Sequence, residues 1–283
     1  MATAVVDGIS TRYEVIGDGP PLLLFAPGGF DATVEKWSTL GVYARTKPLV
    51  HLSKHFRCIA FDRRECGQSG GRVEAITWSH FVAQAKGLLD HLGIDRAHLM
   101  GGCMGCPPVA AFAVAHPRAV ASMILWWPVG GAKYRIKGEE RFVAHLAFAD
   151  ANGLQAVVDL VRRERKAFNA EPRGGPWASV IARDAAFAES YARTPMESYL
   201  STVTRMRAAL LDRDTAPGAE PEELMRLGIP ALVVPGRDES HATSAARYLE
   251  ECIPGAEYWD LPPEAQTEEN SAPRLLQFLE RCR

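Results

Sequence analysis

No stretch of this chain approaches the roughly 20 consecutive apolar residues of a membrane span. The N-terminus has no basic segment followed by an apolar run, so neither a transmembrane helix nor a signal peptide is expected. Excess charge is also missing. The 32 Lys and Arg nearly balance the 34 Asp and Glu, leaving a net charge of -2. That gives no electrostatic footprint for nucleic acid or for an anionic membrane surface. Cysteine is sparse: the six residues, at 58, 66, 103, 106, 252 and 282, are scattered along a long chain. A small secreted domain crowds its cysteines, whereas this spacing points to reduced thiols and a cytoplasmic location. There is no internal repeat and no low-complexity tract. No histidine follows His241.

What is present is enough for a sizeable core. With 47% hydrophobic residues among 283, the chain fits one large α/β domain with an inserted lobe. Ala4 to Val6 and Arg12 to Ile16 read as short strands joined at Asp7-Gly8, a hairpin signal. Further strands are expected at Leu22 to Ala26, Cys58 to Phe61, Ala97 to Met100, Met123 to Trp127, Ala231 to Val234 and Glu257 to Leu261. Between them, Trp78 to Leu92, Pro107 to Ala115 and Thr243 to Glu251 carry helical spacing, and Leu275 to Leu279 belongs to a last helix. Strands alternating with helices imply a mostly parallel twisted sheet flanked by helices. The rhythm stops after Gly130 and resumes near Leu227. That stretch has helical period at Phe142 to Phe148 and Leu154 to Arg163, with a breaker cluster at Pro172 to Pro176. The expected organisation is a core of 1–130 and 228–283 with a helical lid at 131–227.

The chemistry concentrates at Gly101-Gly102-Cys103-Met104-Gly105, a G-x-S-x-G pattern with cysteine in the serine's place. A strand precedes it and a helix follows, the context of a nucleophile elbow. Such a turn holds its central residue at strained angles and needs small neighbours, because a side chain at Gly101 or Gly105 would strike the adjoining strand or helix. The helix N-terminus behind it favours a thiolate. A buried, inert Cys103 in a glycine-rich turn is the competing reading. Cys103 and Cys106 also form a C-x-x-C pair, which suits dithiol redox chemistry. The elbow geometry instead sends Cys106 inward as a small hydrophobe, and no second ligand pair suggests zinc.

The order of elements, with an elbow in the middle and a lid after the next strand, resembles the α/β-hydrolase fold. Local motifs agree. Ala26-Pro27-Gly28-Gly29 is similar to that family's oxyanion loop. Phe61 to Ser69 resembles its D-x-R-G-x-G-x-S turn, with Arg64 near the place of the first glycine and Cys66 before Gly67. Ala115-His116-Pro117 resembles the ending of the elbow helix, and Val233 to Asp238 the strand before the family's acid.

The resemblance implies a catalytic set. Cys103 is the nucleophile. Met104 and the Gly28-Gly29 loop supply N–H donors for an oxyanion, which Pro27 cannot. The acid is Asp238 or Glu239, with Asp238 favoured. The family's histidine follows the last strand, and here that position holds Pro262-Pro263-Glu264-Ala265-Gln266. His241, three residues after Asp238, is the substitute base; its plain alternative is to cap the helix near Thr243. Glu264 is a further candidate base. Phe30, Trp37, Trp127 and His145 are candidate pocket residues. Asp62 and Arg63 are expected to make ion pairs beneath the loop. Neither a cofactor nor a metal is expected, and the partner is a small-molecule substrate. Two functional readings stand open. One is a hydrolase of a small ester, lactone, thioester or activated carbon–carbon bond through an acyl-cysteine. The other is a ligand binder, lyase or isomerase that uses the pocket without hydrolysis.

Overall fold

A computed structural model describes residues 2–282. Eight strands form one sheet: β1 (Ala2–Val6), β2 (Ile9–Ile16), β3 (Pro21–Phe25), β4 (Arg57–Phe61), β5 (Ala97–Gly102), β6 (Val120–Trp126), β7 (Ala231–Val234) and β8 (Glu257–Tyr258). Their order is β1-β2-β4-β3-β5-β6-β7-β8. The first two pairings are antiparallel and the remaining five parallel. Asp7 and Gly8 both take positive φ at the β1–β2 turn, as a tight hairpin requires.

The central strands are apolar throughout because both faces are covered. In β3, Leu23 and Phe25 face one core and Leu22 and Leu24 the other. Each such side chain contributes roughly 1.5–3 kcal/mol by burial. Helices Trp78–His91, Cys106–Ala115 and Thr243–Cys252 cover the first face. Helix Glu268–Arg281 and the turns of residues 36–52 cover the second. The chain leaves β3 for β4 on one side and returns to β5 on the other. The carboxyl ends of β3 and β5 therefore flank the switch point where open α/β sheets bind ligands.

The structure departs from the sequence reading in four places. Helices Lys36–Thr39, Gly41–Thr46 and Pro48–Leu52 were not expected. They are too short for a visible period and are held by packing, with Trp37, Tyr43 and Leu52 buried. The last strand pairs only at Glu257 and Tyr258 before Pro262-Pro263 diverts it. Asp62 does not pair with Arg63; its carboxylate accepts from Arg12 Nη1 (3.1 Å) and from the N–H groups of Val34 and Gln68. Glu65, rather than Arg64, takes the left-handed φ of 64° that the first glycine of that turn would provide.

Between β6 and β7 the chain is helical, with long helices at Ala132–Asn152, Leu154–Glu164 and Met196–Leu210. Leu154, Val157, Val158 and Val161 recur at helical spacing and join Phe168, Trp177 and Tyr199 in a second core. That core ends at Leu211, whereas Ala216, Ala219, Leu224 and Leu227 pack into the core under the sheet. The excursion's own packing thus stops well before residue 227.

Candidate active site

Cys103 stands where β5 turns into the helix Cys106–Ala115, and its φ is +52°. A non-glycine residue there is strained and needs its surroundings to hold it. The glycines do so by permitting close contact. A methyl on Gly101 would lie 2.5 Å from the Gly105 carbonyl oxygen, and one on Gly105 would lie 2.1 Å from that of Phe25. Cys106 points inward, with its thiol on the carbonyls of Gly101 (3.2 Å) and Trp126 (3.4 Å). All six cysteines are free.

Cys103 opens onto a cavity of about 490 Å³. Gly28, Gly29, Phe30, Met104 and Trp127 line it, together with Asp238 and His241. The helical excursion adds Tyr134, Arg141, Phe142, Phe168, Leu210 and Leu211. The walls are thus chiefly apolar, with few polar groups, as is usual for a small-molecule pocket.

His241 and Asp238 come from the loop after β7. Asp238 Oδ1 accepts from the backbone N–H of Ser240 (2.8 Å) and of His241 (3.0 Å). The imidazole Nδ1 lies 2.8 Å from both carboxylate oxygens, which fixes Nδ1 as the protonated nitrogen. The Gly130 N–H donates to the Ser240 carbonyl (3.1 Å), tying the loop to the end of β6. The Trp127 ring packs 5.5 Å from the imidazole. Nε2 is buried and makes no hydrogen bond, while the imidazole and the Cys103 sulfur each favour the charged form of the other.

The electrostatics are of one piece. Burial would push the Cys103 thiol up, but the His241 imidazole and the N–H groups of Gly28 and Met104 outweigh it and hold the thiol below its ordinary value. Burial would pull His241 down, but the Asp238 carboxylate and the Cys103 sulfur raise it to about 10. Its bond to His241 holds Asp238 at about 2. The three groups thus favour one another's charged forms in series, from the Cys103 sulfur through the His241 imidazole to the Asp238 carboxylate.

The model of the alpha/beta hydrolase fold family matches residues 21–264. This chain belongs to the α/β-hydrolase fold family. It is 31% identical over 176 residues to the dihydrolipoyllysine-residue acetyltransferase component of an acetoin cleaving system from Cupriavidus necator, covering 57% of this chain and 45% of that protein. The chain therefore spans less than half the length of that relative. It is 28% identical over 234 residues to a 2-hydroxy-6-oxo-6-phenylhexa-2,4-dienoate hydrolase from Comamonas testosteroni, covering 81% of this chain and 74% of that one. The crystal structure of the enol-lactonase from Burkholderia xenovorans LB400 superposes with a TM-score of 0.62 at 23% identity, covering 99% of this chain and 100% of that one. That likeness is one of fold.

This family member departs from the family pattern after the last strand. Gln266 is the buried residue of the segment where the family resemblance implies a histidine. It is fully buried; its Oε1 accepts from the indole N–H of Trp126 (3.0 Å) and of Trp127 (2.9 Å), and its Nε2 donates to the carbonyls of Pro235 (3.1 Å) and Leu261 (2.9 Å). Glu264, two residues earlier, is exposed and does not line the cavity. Glu239 is bound outside by Lys137 and Lys133, leaving Asp238 as the carboxylate on His241.

Two expected pocket residues lie elsewhere. Trp37 is fully buried against Tyr43 (5.1 Å between rings), because its short helix turns that face to the core on the sheet. His145 is buried inside the excursion, with Nδ1 3.0 Å from the Arg173 carbonyl and Nε2 2.5 Å from the Tyr199 hydroxyl. The excursion residues that do line the cavity, Tyr134 and Arg141, went unremarked in the sequence. They share a helix face with Gly138 at spacings of four and three, which was the available signal.

Proposed function

We propose that this protein is a cofactor-independent hydrolase that cleaves a small ester, lactone, thioester or activated carbon–carbon bond through an acyl-cysteine. The observation that carries the reading is that the strained elbow residue Cys103 shares one cavity with His241, whose Nδ1 is held 2.8 Å from the Asp238 carboxylate. The Cys103 sulfur attacks the substrate carbonyl carbon, and the carbonyl oxygen becomes an oxyanion held by the N–H groups of Gly28 and Met104. As the tetrahedral centre collapses, the bond to the leaving group breaks and His241 Nε2 gives that group its proton. Water then attacks the thioester while His241 takes a proton from it, and the thiolate leaves. Asp238 keeps the imidazole oriented throughout.

The helical excursion, residues 131–227, acts as the lid. It contributes one cation to the cavity, Arg141, which makes no ion pair among the described residues. An apolar substrate with one anionic end fits that wall. The dienoate in the name of the Comamonas relative is a carboxylate of that kind.

The test is intact-protein mass spectrometry after an acid quench of a reaction with 4-nitrophenyl acetate. An acetyl group on Cys103, absent from Cys103→Ala, is expected. Steady release of 4-nitrophenol by Cys103→Ala at the parent rate would refute the reading and favour the pocket-only alternative.

A further inference from the structure

The two residues whose N–H groups face the Cys103 sulfur come from different parts of the fold. Gly28 follows β3, and Met104 belongs to the elbow. Nothing in either segment alone sets the distance between them. Gly28 is also among the freest positions available to a backbone, with φ of +103°.

One side chain holds both. Arg63 follows β4 and is 3% exposed. Its Nη1 donates to the Met104 carbonyl (2.7 Å), and its Nη2 donates to the carbonyls of Gly28 (2.7 Å) and Gly29. Each residue that turns its N–H toward the sulfur therefore hands its C=O to the same guanidinium. Because the peptide is planar, anchoring these carbonyls fixes the peptide planes that follow Gly28 and Met104 and so restrains both segments against each other. The rigid fork of Arg suits this task, because a single ammonium cannot address carbonyls on two segments in set directions.

The guanidinium is also unusual in its charge. Its neighbours have used the nearby carboxylates. Arg12 takes Asp62, Glu35 and Glu14, and Arg64 takes Glu65 and Glu74. Among the described residues Arg63 has no carboxylate partner and rests on the Phe81 ring, 5.0 Å from its centroid. A buried charge is costly unless something uses it. Here it holds the two segments together and adds fixed positive charge beside a developing oxyanion.

We propose that Arg63 is a positioning residue that assembles the oxyanion pocket from its two halves. The proposal rests on the reading of Cys103 as the nucleophile. It adds that the donors are in place only because Arg63 clamps both segments.

The experiment compares Arg63→Met, Arg63→Lys and Arg63→Ala with the parent. One arm is 4-nitrophenyl acetate turnover. The other is the pH dependence of Cys103 alkylation by iodoacetamide, which needs no hydrolysis. Loss of one oxyanion donor costs about 10²–10³ in kcat, so misalignment of two is expected to lower kcat about 10- to 100-fold in Arg63→Met with KM little changed. The alkylation midpoint moves to higher pH, Arg63→Lys recovers part of both effects, and added guanidinium restores part of the kcat of Arg63→Ala. The proposal is overturned if kcat and the alkylation midpoint of folded Arg63→Met match the parent. It is overturned equally if every variant loses kcat only in step with its melting temperature and guanidinium restores nothing. If instead the parent itself fails to turn over the ester, the acyl-cysteine reading fails while the alkylation arm still reports on the clamp.

Discussion

Replacing His241 by Gln removes the group that ionises Cys103 while nearly keeping its volume. The rise of the imidazole from 6.5 to about 10 corresponds to roughly 4–5 kcal/mol of preference for the imidazolium, shared between Asp238 and the Cys103 sulfur. Without it, burial dominates at Cys103, and the thiol moves from below its ordinary 9.0 to above it. At pH 7 a thiol titrating at 9 is only about 1% thiolate. The rate of alkylation falls less than that, because a more basic thiolate is the better nucleophile, by about tenfold for every two units at a Brønsted slope near 0.5. The net loss at pH 7 is therefore much smaller than the fall in thiolate fraction, and several trivial causes could mimic it. The midpoint of the pH–rate curve is the cleaner observable. In the parent, iodoacetamide labelling of Cys103 rises through a midpoint below 9. In His241→Gln it rises through a midpoint above 9 and approaches an equal or higher plateau. The other five cysteines, followed by peptide mass mapping, serve as internal controls. A midpoint that does not move in His241→Gln would refute the coupling and return His241 to the role of a helix-capping residue.

Two further outcomes follow from buried polar groups outside the catalytic series. Burial holds His145 down at about 4, so the folded protein keeps it neutral while the unfolded chain protonates it near 6.5. Its contribution to stability is present above pH 6.5 and is lost as pH falls toward 4, by up to about 3 kcal/mol; melting temperatures measured from pH 7 to 4.5 should fall more steeply in the parent than in His145→Gln. Gln266→Leu leaves two indole N–H groups and two carbonyls without their partner and should cost about 2–4 kcal/mol in urea unfolding. Restoring an imidazole there, as Gln266→His on top of His241→Ala, should leave 4-nitrophenyl acetate turnover as low as in His241→Ala, since residue 266 does not line the cavity.

Much of the sheet was legible because its strands are apolar on both faces and bounded by glycine, proline or charge. Leu22 to Phe25 and Ala231 to Val234 cannot be anything but buried. The elbow was legible for a different reason. Gly101 and Gly105 stand where any side chain would strike backbone, so the glycines themselves report the turn. What stayed hidden depends on which way a side chain points once elements pack. His145 sits on a helix whose period was visible, yet the period does not say which neighbour its polar atoms meet. Trp37 lies on a helix of four residues, too short to show a face. Arg63 read as an ion-pair partner of Asp62 because adjacent opposite charges invite that reading; Arg12, fifty residues away in sequence, had already taken the carboxylate. Gln266 carried no signal beyond its place in the chain.

The absent histidine and the elbow cysteine are connected. In this chain the base and its carboxylate lie three residues apart in a single loop, so one segment holds both. Gly236 is part of the fit, since a methyl there would lie 2.5 Å from the His241 Cβ. Trp127, itself at a φ of +54°, packs on the imidazole and is tied down by Gln266. The end of the last strand carries packing instead: β8 is two residues long, and Gln266 beyond it is a fully bonded amide. A serine needs its base to remove a proton during attack, which demands an aligned hydrogen bond beforehand. A thiol that is already ionised by a neighbouring imidazolium does not. Under the proposed acyl-cysteine reaction, attack does not need a hydrogen bond from His241 Nε2 to the sulfur, and the alignment the imidazole needs is with the leaving group, on the cavity side. On this argument Cys103→Ser should lose most of its 4-nitrophenyl acetate turnover, because a serine hydroxyl needs an aligned base to take its proton during attack and His241 Nε2 makes no hydrogen bond to residue 103.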